Sequence, residues 1–134
     1  YLESADSSSR HRTIAPVIDA LWGTNTCSWL TAEILAAVDG ASADRLTIPL
    51  RVWWEHKRLM TLRFDYLESE GYLDPAMGAG AAAREIAACA WQVRLITLRW
   101  HHGKADGVER IAALLRSSAA RELDTAGAVV NALL

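Results

Sequence analysis

Leu50–Glu70 (LRVWWEHKRLMTLRFDYLESE) and Ala81–His101 (AAAREIAACAWQVRLITLRWH) are the two stretches that decide the fold. In the second, Ala82, Ile86, Cys89, Val93, Ile96 and Trp100 recur at alternating spacings of four and three residues. That spacing is the period of one helix face. Trp91, Leu95 and Leu98 form another stripe on roughly the opposite face. A helix that is apolar on two faces belongs between layers, so the stretch near 81–101 is expected to be a long central helix. Winding the first stretch at about 100° per residue groups Trp53, Met60, Phe64 and Leu67 on one side. Leu59, Leu62 and Tyr66 fall on an adjacent side, and Arg51, Trp54, Lys57, Arg58, Asp65 and Glu68 share the remainder. Together the two helices carry too much apolar surface for a free-standing hairpin. Both should be covered on more than one side, by the rest of the chain or by a partner.

Upstream, Ile14, Val17, Ile18, Leu21 and Trp22 repeat at helical spacing after Pro16, which the first turn of a helix tolerates. This predicts a helix over 14–22, ended by Gly23. A second helix is expected from Ser28, as its cap, to Asp39-Gly40, carrying Trp29, Leu30, Ile34, Leu35 and Val38. Residues 41–48 have room for a short helical turn. The helix from about Pro49 to Glu70 should stop at Gly71, and the one from Ala81 at His102-Gly103. Downstream, Asp106 and Glu109 have the spacing of a capping box and predict a helix through Arg116 that buries Val108, Ile111, Leu114 and Leu115. Ser117-Ser118 should separate it from a last helix, Ala119–Leu134. No alternating strand pattern persists, so the expected class is all-α. The architecture predicted is a compact bundle of five to six helices, with 1–12 a flexible polar lead-in and 13–134 a single helical domain.

At 134 residues the chain is the size of one domain and long enough for a core without staples. A formal net charge of -2 gives no general attraction to polyanions. The two cysteines, Cys27 and Cys89, make no CxxC or metal-ligand spacing, which fits free thiols in a reducing cytoplasm. The most apolar window, Gly80–Trp100, holds Arg84, Glu85, Arg94 and Arg99, too many charges for a membrane span. The chain starts without methionine and ends on an apolar run, Ala128–Leu134, from which we expect a piece of a longer protein.

Chemistry is thinly represented. The four histidines, His11, His56, His101 and His102, show no HExxH, ExxH or Cys/His pattern. Adjacent helical histidines also diverge by about 100°, so no metal site is expected. Asp65, Glu68 and Glu70 read as a hydrated face, and no nucleophile elbow or phosphate-cradling loop is present. No catalytic residue and no cofactor is therefore assigned.

The segment LRFDYLESEGYL, Leu62–Leu73, resembles the end of the recognition helix in winged-helix transcription regulators. There a leucine-rich turn leads into a capping glycine and the first residue of the wing. The resemblance implies DNA binding through this helix, with Trp29–Val38 as the helix before it. Against that, the polar side changes sign from Arg51, Lys57 and Arg58 to Asp65 and Glu68, whereas a phosphate-binding face is uniformly basic.

Six tryptophans are many for this length. Trp53, Trp91 and Trp100 lie on apolar stripes and are expected in the core. Trp54 instead winds among Arg51, Lys57, Arg58 and Asp65. Exposed tryptophan beside arginine is the composition of an interface centre, and a cation–π contact with Arg51 or Arg58 is the competing explanation. The reading is a non-catalytic helical interaction or assembly module whose protein partner, or second copy, meets Arg51, Trp54, Lys57 and Arg58. A winged-helix-like DNA-binding regulator stands second.

Overall fold

The computed structural model describes residues 25–40 and 43–133. They form four α-helices: α1, Asn25–Asp39; α2, Thr47–Ser69; α3, Ala79–His101; and α4, Ile111–Leu133. Single 3-10 turns, Asp44–Leu46, Pro75–Met77 and Val108–Arg110, lead into α2, α3 and α4. There is no strand among the described residues, so the all-α expectation holds for them. The predicted helix over 14–22 and the 1–12 lead-in lie outside the described residues.

Of the five to six helices expected, one, over 14–22, lies outside the described residues. Four are present where the sequence predicts five more, and the difference lies in the C-terminal segment. Ser117-Ser118 does not divide the C-terminal segment, which is one continuous helix. Serine costs a helix interior only about 0.5 kcal/mol relative to alanine. The inward stripe Ile111, Leu115, Ser118, Glu122 and Val129 runs straight through the pair, with Ser118 itself buried. The Asp106–Glu109 capping box does not form either. Gly107, at φ 86, precedes the 3-10 turn there with no side-chain cap. Helix α1 already includes Asn25, so Ser28 is an exposed interior residue and not the cap.

Both predicted stops are present, and both are double-bonded caps. At the end of α2, Tyr72 N–H reaches the Leu67 carbonyl at 2.9 Å and Gly71 N–H reaches Glu68 at 3.2 Å. Lys104 and Gly103 repeat the arrangement on Arg99 and Trp100 at the end of α3. Such caps need a residue in the left-handed region; Gly71 at φ 73 and Gly103 at φ 79 supply it without a Cβ penalty.

Helix α3 packs against both α2 and α4, and α1 packs against α4. Cross-links run in opposite numerical order along α2–α3 and α3–α4, so these neighbours are antiparallel. Asp65 and Glu68 of α2 meet Arg84 and Gly80 of α3, while Glu85 and Cys89 of α3 meet Arg121 and Leu114 of α4. The main core joins Leu30 and Ile34 of α1, Leu50 and Trp53 of α2, Ala90 and Val93 of α3, and Ile111 and Leu115 of α4. A smaller cluster of Leu73, Ala79 and Val129 closes the far end. Thr97 also faces inward, satisfied by donating to the Val93 carbonyl at 3.0 Å.

Helix α3 is thus central, but its second apolar stripe is not enclosed. Trp91 and Leu95 each remain 40% exposed. The α2 and α4 contacts converge on the Ala83, Ile86, Ala90, Val93 and Thr97 side, where small residues let three helices approach closely.

Candidate functional site

Helix α2 positions every residue assigned to the interface, and its two sides have different fates. Leu50, Trp53 and Lys57 point into the bundle. Opposite them, Ile48, Val52, Leu59, Leu62 and Tyr66 are each more than half exposed. With Glu55 they occupy positions 48, 52, 55, 59, 62 and 66, spaced alternately by four and three. That alternation is the spacing of a coiled-coil seam. The adjacent side named from the sequence (Leu59, Leu62, Tyr66) is the C-terminal half of this seam. Ile48 and Val52 were missed, although the same spacing could have found them.

Trp54 is only half-buried, and its indole is not idle. It packs on Trp91 of α3 with ring centroids 5.0 Å apart at 42°. The Arg94 guanidinium lies 4.8 Å from the Trp54 centroid and 5.3 Å from that of Trp91. Arg58 covers another part of Trp54 at 5.9 Å. The cation–π alternative is therefore present, carried mainly by Arg94 of the neighbouring helix, while Arg51 takes no part. Arg51 donates instead to Glu55 at 2.9 Å, an exposed pair one turn apart that contributes little to stability. The Trp54–Trp91–Arg94 stack joins α2 to α3.

Lys57 departs most from expectation. Only 3% of its side chain is exposed, and its ammonium donates to both carboxylate oxygens of Glu122 at 2.6 Å. It ties α2 to α4 and cannot meet a partner from inside the bundle. Cys27 belongs to the same interior region. Burial pushes its thiol up, partly opposed by the positive charge of Lys57 and by the Trp53 indole. Cys89 is also raised by burial, and its thiol donates to the Leu114 carbonyl at 3.3 Å. His56, beside Lys57 in sequence, is lowered by desolvation and by the charges of Lys57 and Arg63, although much of its surface meets solvent. The Trp53 indole N–H and the Ser118 hydroxyl are buried and make no hydrogen bond of regular geometry among the described residues.

Among the described residues no three His, Cys, Asp or Glu side chains converge to hold a metal ion. His101 is used otherwise: its Nδ1 lies 2.8 Å from an Asp44 carboxylate oxygen. A hollow of about 180 Å³ beside α1, lined by Glu33, Ala36, Ala37, Gly40 and Arg45, is below the roughly 300–1,000 Å³ of small-molecule sites. No helix of the described residues is long and apolar enough to cross a membrane. No protein-family model, curated protein or solved structure matches this chain.

Proposed function

We propose that this chain is a non-catalytic helical assembly module that docks a helix of a protein partner along the outer face of α2. One observation carries the reading: five large apolar side chains stand more than half exposed at coiled-coil spacing. Scattered exposed hydrophobics are ordinary on a protein surface, but a contiguous row of them marks an interaction face. Of the four residues named from the sequence, Arg51 and Arg58 border this face. Trp54 stiffens its edge against α3, and Lys57 anchors the helix from inside.

A photo-cross-linking residue in place of Leu62 tests this, with Ala120 on the exposed side of α4 as control. Cross-links to protein are expected from position 62 and not from 120 in the native cell. Equal yields from the two positions, or none from either, would remove α2 as the docking face.

The regulator reading keeps less support. The residues after Gly71 form a 3-10 turn and then α3, where a wing would need strands. Of the basic residues named for phosphate contact, Lys57 is internal and Arg51 is paired with Glu55. A gel-shift titration on duplex DNA at low salt checks it. Salt-sensitive binding that Arg58→Ala abolishes would restore this reading over the first.

A further inference from the structure

Arg94 of α3 is a half-buried cation to which the described residues offer no counter-charge. The chain has no Asp or Glu between Glu85 and Asp106. On α2, Glu55 is taken by Arg51 and Asp65 by Arg84. Arg58 is in the same position: it is exposed, and no carboxylate of the described residues pairs with it. Both arginines reach the Trp54 indole, Arg94 at 4.8 Å and Arg58 at 5.9 Å from its centroid. A cation–π contact holds a guanidinium by its charge and its face. It neither cancels that charge nor satisfies the N–H donors. Two positioned cations with unused donors therefore meet at one indole.

We propose that the outer junction of α2 and α3 receives carboxylates of the protein partner, an amphipathic helix whose apolar face covers the α2 row and whose adjoining edge is acidic. This inference rests on the assembly reading and supplies the chemistry of what binds. A guanidinium fork matches a carboxylate or a phosphate, and the surroundings decide between them. Arg58 lies one turn before Leu62, so the cations adjoin the apolar row. On the α3 side stand Trp91 and Leu95, each 40% exposed. A phosphate backbone would leave these side chains wet, whereas apolar residues beside the carboxylates of a helix cover them. Carboxylates one turn apart, with about 5–6 Å between Cβ atoms, reach both arginines. Docking gives Arg94 the counter-charge that its partly desolvated guanidinium lacks, and expelling water from around the indoles strengthens that pairing. Trp54 holds both guanidiniums in place before the partner arrives, which lowers the cost of ordering two long side chains.

Fluorescence anisotropy of labelled peptides on the purified chain at low salt tests the proposal. The probe is a helix-forming peptide with a leucine row and one edge of glutamates, and its control carries glutamine in their place. The glutamate peptide should bind saturably, weaken as salt is added, and exceed the control by about tenfold in affinity. Arg58→Gln and Arg94→Gln should each lower its affinity by about fivefold, while Arg116→Gln, on the exposed side of α4, should not. Arg58 is exposed, so Arg58→Gln should keep the parent melting temperature and decides the matter if Arg94→Gln unfolds. Equal binding of the two peptides, binding of neither, or binding that Arg58→Gln leaves unchanged would overturn the acidic partner. Oligothymidylate that binds more tightly than the glutamate peptide would overturn it in favour of nucleic acid. Cross-linking from position 62 in the native cell separates the two readings. If Arg58→Gln leaves the yield of protein cross-links unchanged, the assembly reading survives without an acidic partner. If position 62 links to no protein at all, both fall.

Discussion

Removing the carboxylate of Glu122 tests the interior of this bundle most sharply. Lys57 and Glu122 are both 3% exposed, and both short bonds from the ammonium go to that carboxylate. Breaking a buried ion pair from one side leaves the remaining charge desolvated without its counter-charge. The cost is about 3–5 kcal/mol, against a total stability of about 5–15 kcal/mol for a domain of ordinary size. Glu122→Ala should therefore remove about a fifth or more of the folding free energy, and Lys57→Met should do comparable damage. The pair itself is a different quantity. Two charges withdrawn from water recover most of the desolvation cost through their attraction and little more, so an apolar pair of similar volume is often neutral or stabilising by about 1–4 kcal/mol. Lys57→Met/Glu122→Leu should accordingly be more stable than either single variant and close to the parent chain. Urea unfolding followed by far-ultraviolet circular dichroism measures all four proteins, with the slope confirming that each unfolds as one unit. Single variants that lose less than about 1 kcal/mol would behave like an exposed pair. The inward placement of Lys57, and the register of α2 on α4, would then be wrong.

Val93 is fully buried in α3, so Val93→Asp places a carboxylate where none can be hydrated; the purified variant should lack a cooperative melting transition. Glu68 accepts the Gly80 N–H at 2.7 Å in the first turn of α3, acting as a cap from another helix. Glu68→Ala should cost about 1 kcal/mol in urea unfolding. For His56, desolvation and the neighbouring Lys57 and Arg63 lower the folded pKa below its ordinary 6.5. The unfolded chain then binds the extra proton first. This contribution is complete above pH 6.5 and is lost as pH falls through the folded value. His56→Gln should therefore show less acid destabilisation than the parent chain when melting is followed from about pH 7.5 down to about pH 5.

The helices were legible because period, caps and breaks agree over long stretches. The two stripes of α3 and the row of Trp53, Met60, Phe64 and Leu67 on α2 are sustained over several turns, and Gly71 and Gly103 each end a helix with the chain in the left-handed region. What failed was local punctuation. Two serines read as a break, but a serine can sit on a buried stripe when its neighbours on that face, Ile111, Leu115 and Val129, hold the helix to the core. Asp106 and Glu109 had capping spacing, yet Gly107 at positive φ turned the chain before the aspartate could cap it. Short-range signals lose to tertiary packing whenever the packed face extends past them.

The site was harder to read, for a reason that Lys57 makes plain. Its winding places it only about 60° from Trp54, so by sequence alone it joined the arginines on the polar side. Its burial depends on a carboxylate 65 residues away on α4 that happens to lie at the same level of the bundle. Nothing in the spacing of α2 encodes that partner. Once Lys57 is moved inside, the remaining faces of α2 sort themselves. The inward face is then Leu50, Trp53 and Lys57, and the face furthest from it is the row from Ile48 to Tyr66. A helix held from within by an ion pair and at one edge by a tryptophan stack has its rotation about its own axis restrained from two sides. That restraint keeps an exposed apolar row pointing outward when turning it inward would hide it from water. The core contacts of α2 thus hold the row outward against the hydrophobic effect, a condition that the proposed assembly surface would need.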